Sequence, residues 1–122
     1  MKNARAAARS RDAIEAFRMA WGLWELLAAD GTFACLFHES PDRRTRAAIR
    51  TLGTRHMLQA ILTNRAVISS RTGGSVDLLH AASMVLLAAV NGRRRAPAMA
   101  SASVALLFAA AEFKTASFQG LP

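Results

Sequence analysis

An all-α fold, a small integral membrane bundle of about four helices, is predicted by three observations on this sequence. Apolar residues make up 52% of its 122 positions, and the mean hydropathy is +0.18. Basic residues cluster at 2–18, 43–55 and 93–95, and the formal net charge is +8. Two uncharged runs, Leu78–Gly92 and Ala96–Ala111, flank Arg93-Arg94-Arg95, the pattern of a membrane hairpin with a basic turn. The length allows one domain, 1–122. The composition excludes a disordered chain, and a single cysteine, Cys35, excludes a disulfide scaffold.

Residues 1–11 read as a basic cytoplasmic tail near anionic headgroups, because no proper apolar core of a signal sequence follows them. Helix 1 is expected over Ala13–Ala29, started by Asp12 and Glu15 in a capping-box-like pair. Ile14, Phe17, Trp21, Trp24 and Ala28 share one face, with Glu15, Arg18, Gly22 and Glu25 opposite. Two tryptophans opposite charges suggest a helix lying in the membrane interface, with Trp21 and Trp24 as surface anchors. Asp30-Gly31 is expected to stop it, and an apolar patch, Phe33–Phe37, completes the segment 13–37.

Helix 2 is expected over 43–63, started by Ser40-Pro41-Asp42. Arg71–Ser75 reads as a turn. Helix 3 is expected over 76–91, ended by Asn91-Gly92, and helix 4 over 97–113, with Pro97 in its first turn. Both apolar segments are short for a hydrocarbon core of about 30 Å. Snorkelling of Arg93, Arg94 and Arg95, a second set of surface anchors, makes up the difference.

Counting basic residues on either side tests orientation. If all four helices cross, seven lie on each side. If helix 1 stays on its own side, the split is eleven to three. The second arrangement follows the positive-inside rule: helix 1 interfacial or re-entrant and helices 2–4 crossing. Four crossings is the alternative.

Ionisable groups at membrane depth are costly and need partners. Arg55, His56, Gln59, Asp77 and His80 form the expected intramembrane polar network, with Gln59 facing His80 across an antiparallel helix pair and Asp77 meeting an arginine. Such a set is either interhelical glue or a proton or counter-ion pathway. His38, Glu39 and Asp42 lie in a turn with no helical ligand spacing, so no metal is expected. Nor is a cofactor or a catalytic constellation. Cys35, beside aromatics, reads as a buried thiol. On helix 4, Ser101, Ala105 and Ala109 form a small-residue stripe, with Val104, Leu107 and Phe108 on the opposite face; one of the two is expected to pack on a partner subunit.

Arg50–Gln59, with its LG-x-RH-x-x-Q segment, and Val76–Met84, with VD-x-x-H-x-x-SM, resemble segments of small multi-pass membrane proteins of actinobacterial envelopes. The resemblance covers about residues 13–112. It implies an accessory subunit of a larger envelope machine, lipid importers of the Mce type included. The expected function is therefore a non-catalytic subunit in the inner (plasma) membrane. Its partners would be a larger transmembrane protein and anionic phospholipid, with no small-molecule substrate. Two other classes fit parts of the sequence. One is a homo-oligomeric transporter or channel using the Arg/His/Asp set. The other is a soluble Arg-rich helical nucleic-acid binder, which lacks a recognition helix with interleaved aromatics.

Overall fold

A computed structural model describes residues 1–119, which fold into four helices. These are α1 Lys2–Phe37, α2 Arg43–Asn64, α3 Ser70–Val90 and α4 Arg95–Gln119, with a single 3₁₀ turn, Gly92–Arg94, between the last two. There is no strand among the described residues.

Local chemistry sets each boundary. Asp42 caps α2: its extended backbone turns its carboxylate to accept the Thr45 N–H at 2.7 Å. Hydrogen bonds from the Thr45 side chain and backbone, with Arg94 and Arg44 nearby, hold the Asp42 carboxyl below the usual carboxylate range. Ser69 caps α3 by accepting from the Thr72 N–H at 3.2 Å. After α2, Ala66 takes a left-handed conformation and the Val67 N–H returns to the Leu62 carbonyl. At the far end of α3, Arg95 donates to the Ala88 carbonyl at 3.1 Å, satisfying an acceptor the helix leaves free.

Three element predictions are corrected. The basic segment 1–11 is not a tail but the first turns of α1, whose alanines favour helix. Asp30-Gly31 does not stop that helix. The chain kinks at Ala28 (φ −121°, ψ 20°) and resumes, so the patch Phe33–Phe37 is helical and the stop comes at left-handed His38. Arg71–Ser75 is not a turn; it lies in α3, six residues longer at its start than expected, because Ser69 supplies a cap. Helix 4 likewise extends beyond 113, to Gln119.

The helices run up, down, up, down. α1 pairs with α2 and α3 with α4, while α1 also packs on α4. The first pair approaches very closely where Gly22 meets Gly53: a Cβ on either would lie 2.6 Å from the other's carbonyl oxygen. Thus α1 runs the full height of the bundle beside α2, and its Glu15–Arg18–Gly22 face is buried. Helix 1 is therefore part of the bundle, packed along α2 and on α4. The face read as water-facing is the one turned inward, because the other three helices supply its polar partners.

The packing is inverted relative to a water-soluble bundle. The largest fully buried side chains are Arg18, His56, Glu112, Thr63, Thr115 and Asp77. The buried apolar residues are almost all alanine, with Phe33 and Phe108 the exceptions. Leu27, Leu79, Val90 and Leu107 are each more than 70% exposed. Two helical segments, Ser70–Val90 and Gly92–Phe118, are long and apolar enough to cross a membrane, with a mean hydropathy of 1.5 in each.

Candidate functional site

Arg18 stands on the inner face of α1 with no solvent exposure. Its Nη1 donates to Asp77 Oδ2 on α3 at 2.8 Å, and its Nη2 to Glu112 Oε1 on α4 at 3.0 Å. Its Nε lies 3.4 Å from Glu15 Oε2, one turn back on the same helix. The Phe108 ring covers the guanidinium, 4.3 Å from centroid to Cζ. A planar fork with five N–H groups suits this task, since two carboxylates can be held in one plane while an aromatic ring stacks on the face.

Asp77 is the second hub. Besides Arg18 it receives Arg55 Nη2 at Oδ1, 3.4 Å, and Gln59 Nε2 at Oδ2, 3.4 Å. Gln59 also donates to the Gly73 carbonyl at 3.2 Å. The missing side chains at Gly73 and Gly74 permit this approach: a Cβ at Gly73 would sit 3.1 Å from the Gln59 amide, and one at Gly74 3.2 Å from the Phe113 ring. The Gly-Gly pair that suggests a turn is instead the contact surface of a helix.

Of the expected network, then, Arg55, Gln59 and Asp77 come together. His56 and His80 stand apart from it. His56, buried against Phe108, lies 3.7 Å from Glu25. His80 pairs with Ser101 of α4 at 3.0 Å rather than with Gln59. Gln59 meets α3 earlier, at Gly73 and Asp77, on the turns that α3 gains by starting at Ser70 and just beyond them.

Of the two expected docking faces of α4, most residues turn inward and Leu107 stays outside. Ala105, Ala109 and Phe108 are buried inside the chain's own bundle. Ser101 is taken by His80, and Val104 is half-buried. The outer face is formed by Met99, Leu106 and Leu107. Trp21 and Trp24 sit level with the middle of α2, near the Gly22–Gly53 crossing, rather than at an end of the bundle. Arg93, Arg94 and Arg95 do lie at an end, in the turn joining α3 to α4. Cys35 is exposed rather than buried.

The residues that complete the network, Glu15, Arg18 and Glu112, were not expected there. The signal was present as the Glu15–Arg18–Gly22–Glu25 stripe. It points inward once the helix is placed inside an apolar surrounding.

Chemically, the site sets two guanidinium groups against three carboxyls. Both Glu15 oxygens and Glu112 Oε2 lack a hydrogen-bond donor from the chain. Glu15 also lines a groove with Asp12, Asn64 and Arg65 at the end of the bundle where α1 begins. Among the described residues no group of three or more His, Cys, Asp or Glu side chains is placed to hold a metal ion. The chain matches no family model, no curated protein and no solved structure.

Proposed function

We propose that this chain is a four-crossing integral membrane protein of the inner membrane and a non-catalytic accessory subunit of a larger envelope complex. One observation carries the reading: its fully buried side chains are polar while its large apolar side chains face outward. In water such a surface is an aggregation liability. In a bilayer the apolar exterior is solvated by lipid, and ionisable groups must face the bundle interior and pair there. Helices of 21–36 residues reach across a core of about 30 Å.

The accessory role is supported by how the polar groups are used. They tie four helices to one another at one level, and the half of the bundle beyond them is lined mainly by apolar side chains. Anionic phospholipid suits both ends, which carry the basic residues. Lipid transport as the parent process is the reading implied by the resemblance of the 50–59 and 76–84 segments.

The test is fractionation followed by mild-detergent purification. The protein is expected to stay with membranes through alkaline carbonate and to co-purify with a larger transmembrane protein at fixed stoichiometry. Release by carbonate would overturn the membrane reading; a monodisperse lone monomer would overturn the subunit reading.

A second reading, a small proton-coupled transporter, draws support from the carboxyl in excess and from the groove that reaches Glu15. Proteoliposomes should then show pH-dependent flux that falls with Asp77→Asn and Glu112→Gln. Flux unaltered by both would dismiss it.

A further inference from the structure

The turn between α1 and α2 and the Gly92–Arg94 turn lie at one end of the bundle, where Arg94 reaches Asp42. A cleft of about 430 Å³ opens there between α2 and the α3–α4 hairpin. Its walls include Ile49, Leu52, Met84 and Leu87, and Arg55 and His80 lie on its lining farthest along α2 and farthest back along α3. Thr45 to Arg55 spans ten helical residues, about 15 Å, roughly half the hydrocarbon thickness. At the mouth lies a second depression of about 290 Å³, lined by Arg93 and Arg94, by the carboxylates Glu39 and Asp42, and by Ser40 and Asn91. The two share Thr45, Arg94 and Pro97. An apolar slot thus adjoins a polar pocket at the end of the bundle.

That sequence of surfaces is complementary to one class of molecule. The slot takes an acyl chain, and the pocket takes a polar head beside two guanidinium groups that share it with Glu39 and Asp42. The size falls in the roughly 300–1,000 Å³ range of ligand pockets. Charge selects the head. This end carries Arg43, Arg44, Arg46, Arg50 and Arg93–Arg95 against Asp30, Glu39 and Asp42. Arg93 is exposed, and Arg94 makes only a long contact to Asp42, 3.3 Å, on the surface. A phosphate can displace or join such a contact at little cost.

We propose that the cleft between α2 and the α3–α4 hairpin is a binding site for one anionic glycerophospholipid, its phosphate held by Arg93 and Arg94 and one acyl chain lying along Leu52 and Leu87. The site deepens the membrane reading above and rests on it.

Native mass spectrometry of the detergent-purified protein tests it, using phosphatidylglycerol and phosphatidylethanolamine with identical acyl chains. Wild-type protein should retain one phosphatidylglycerol and hold it roughly tenfold more tightly than phosphatidylethanolamine. Arg93→Gln with Arg94→Gln should abolish that preference. Ala48→Trp, at an exposed position on the cleft wall, should weaken both lipids while leaving helicity unaltered by circular dichroism. Equal retention of the two lipids by the wild type, or undiminished phosphatidylglycerol binding by Ala48→Trp, would overturn the site. Carbonate release without detergent would instead bring down the membrane reading, so the two failures are separable.

Discussion

Arg18 ties α1 to both helices of the second hairpin through one side chain, and its two strong contacts are charge-assisted bonds at 2.8 and 3.0 Å. Removing it would strand Glu15 and Glu112 and leave Asp77 with only its longer contacts to Arg55 and Gln59. Arg18→Met is therefore expected to cost about 3–5 kcal/mol, the penalty for breaking a buried charge pair, read as a drop in thermal midpoint in detergent. Arg18→Lys should recover little, because one ammonium cannot present a fork to Asp77 and Glu112 together. The triple change Arg18→Met, Asp77→Asn, Glu112→Gln should be milder than Arg18→Met alone, since it removes both signs of charge. At this scale the sequence was half legible. Asp77, Arg55 and Gln59 stood out because an ionisable group among apolar neighbours is conspicuous. Arg18 and Glu112 did not. Arg18 sits in a segment rich in other charges, and Glu112 falls at the edge of its apolar run, so only the three-dimensional assembly separates them from surface residues.

Between elements, the tightest constraint is the crossing of α1 and α2 at Gly22 and Gly53. Gly22→Ala and Gly53→Ala each place a methyl 2.6 Å from a backbone carbonyl oxygen, which no side-chain rotation relieves. Each is expected to destabilise by about 1–3 kcal/mol, the range for overpacking. Gly92→Ala, with nothing within 4 Å and no left-handed backbone, should be near neutral in the same detergent melt. The α2 boundaries were legible because Asp42 caps and Pro41 precedes. The start of α3 was not, since Gly73-Gly74 signals a turn in isolation and a close contact only when α2 and α4 are beside it. The first helix was misread for a related reason. Its two faces were identified correctly, but which one meets the bundle depends on the solvent outside.

For the molecule as a whole, up-down-up-down order puts the start of α1 and the start of α3 at the same end, with the Gly92 turn at the other. Single cysteines at Asn3 and at Arg65, both exposed, in a Cys35→Ser background, should be labelled by an impermeant maleimide from the same side of the membrane, and one at Gly92 from the opposite side. Shared accessibility of Asn3 and Gly92 would restore the three-crossing arrangement. The all-helical class and the number of helices were legible from charge segregation and apolar runs. Orientation was not, because four crossings leave seven basic residues on each side and the count cancels. The wide separation of the partners of Arg18 bears on how the protein is made. Asp77 follows it by 59 positions and Glu112 by 94. At about 5–20 residues per second of synthesis, α1 waits roughly 5–20 seconds for its last counter-charge. Until Asp77 is made, the nascent first hairpin carries a guanidinium with only the Glu15 carboxyl on its own helix beside it. On the membrane reading proposed above, settled insertion of α1 therefore belongs to the end of translation.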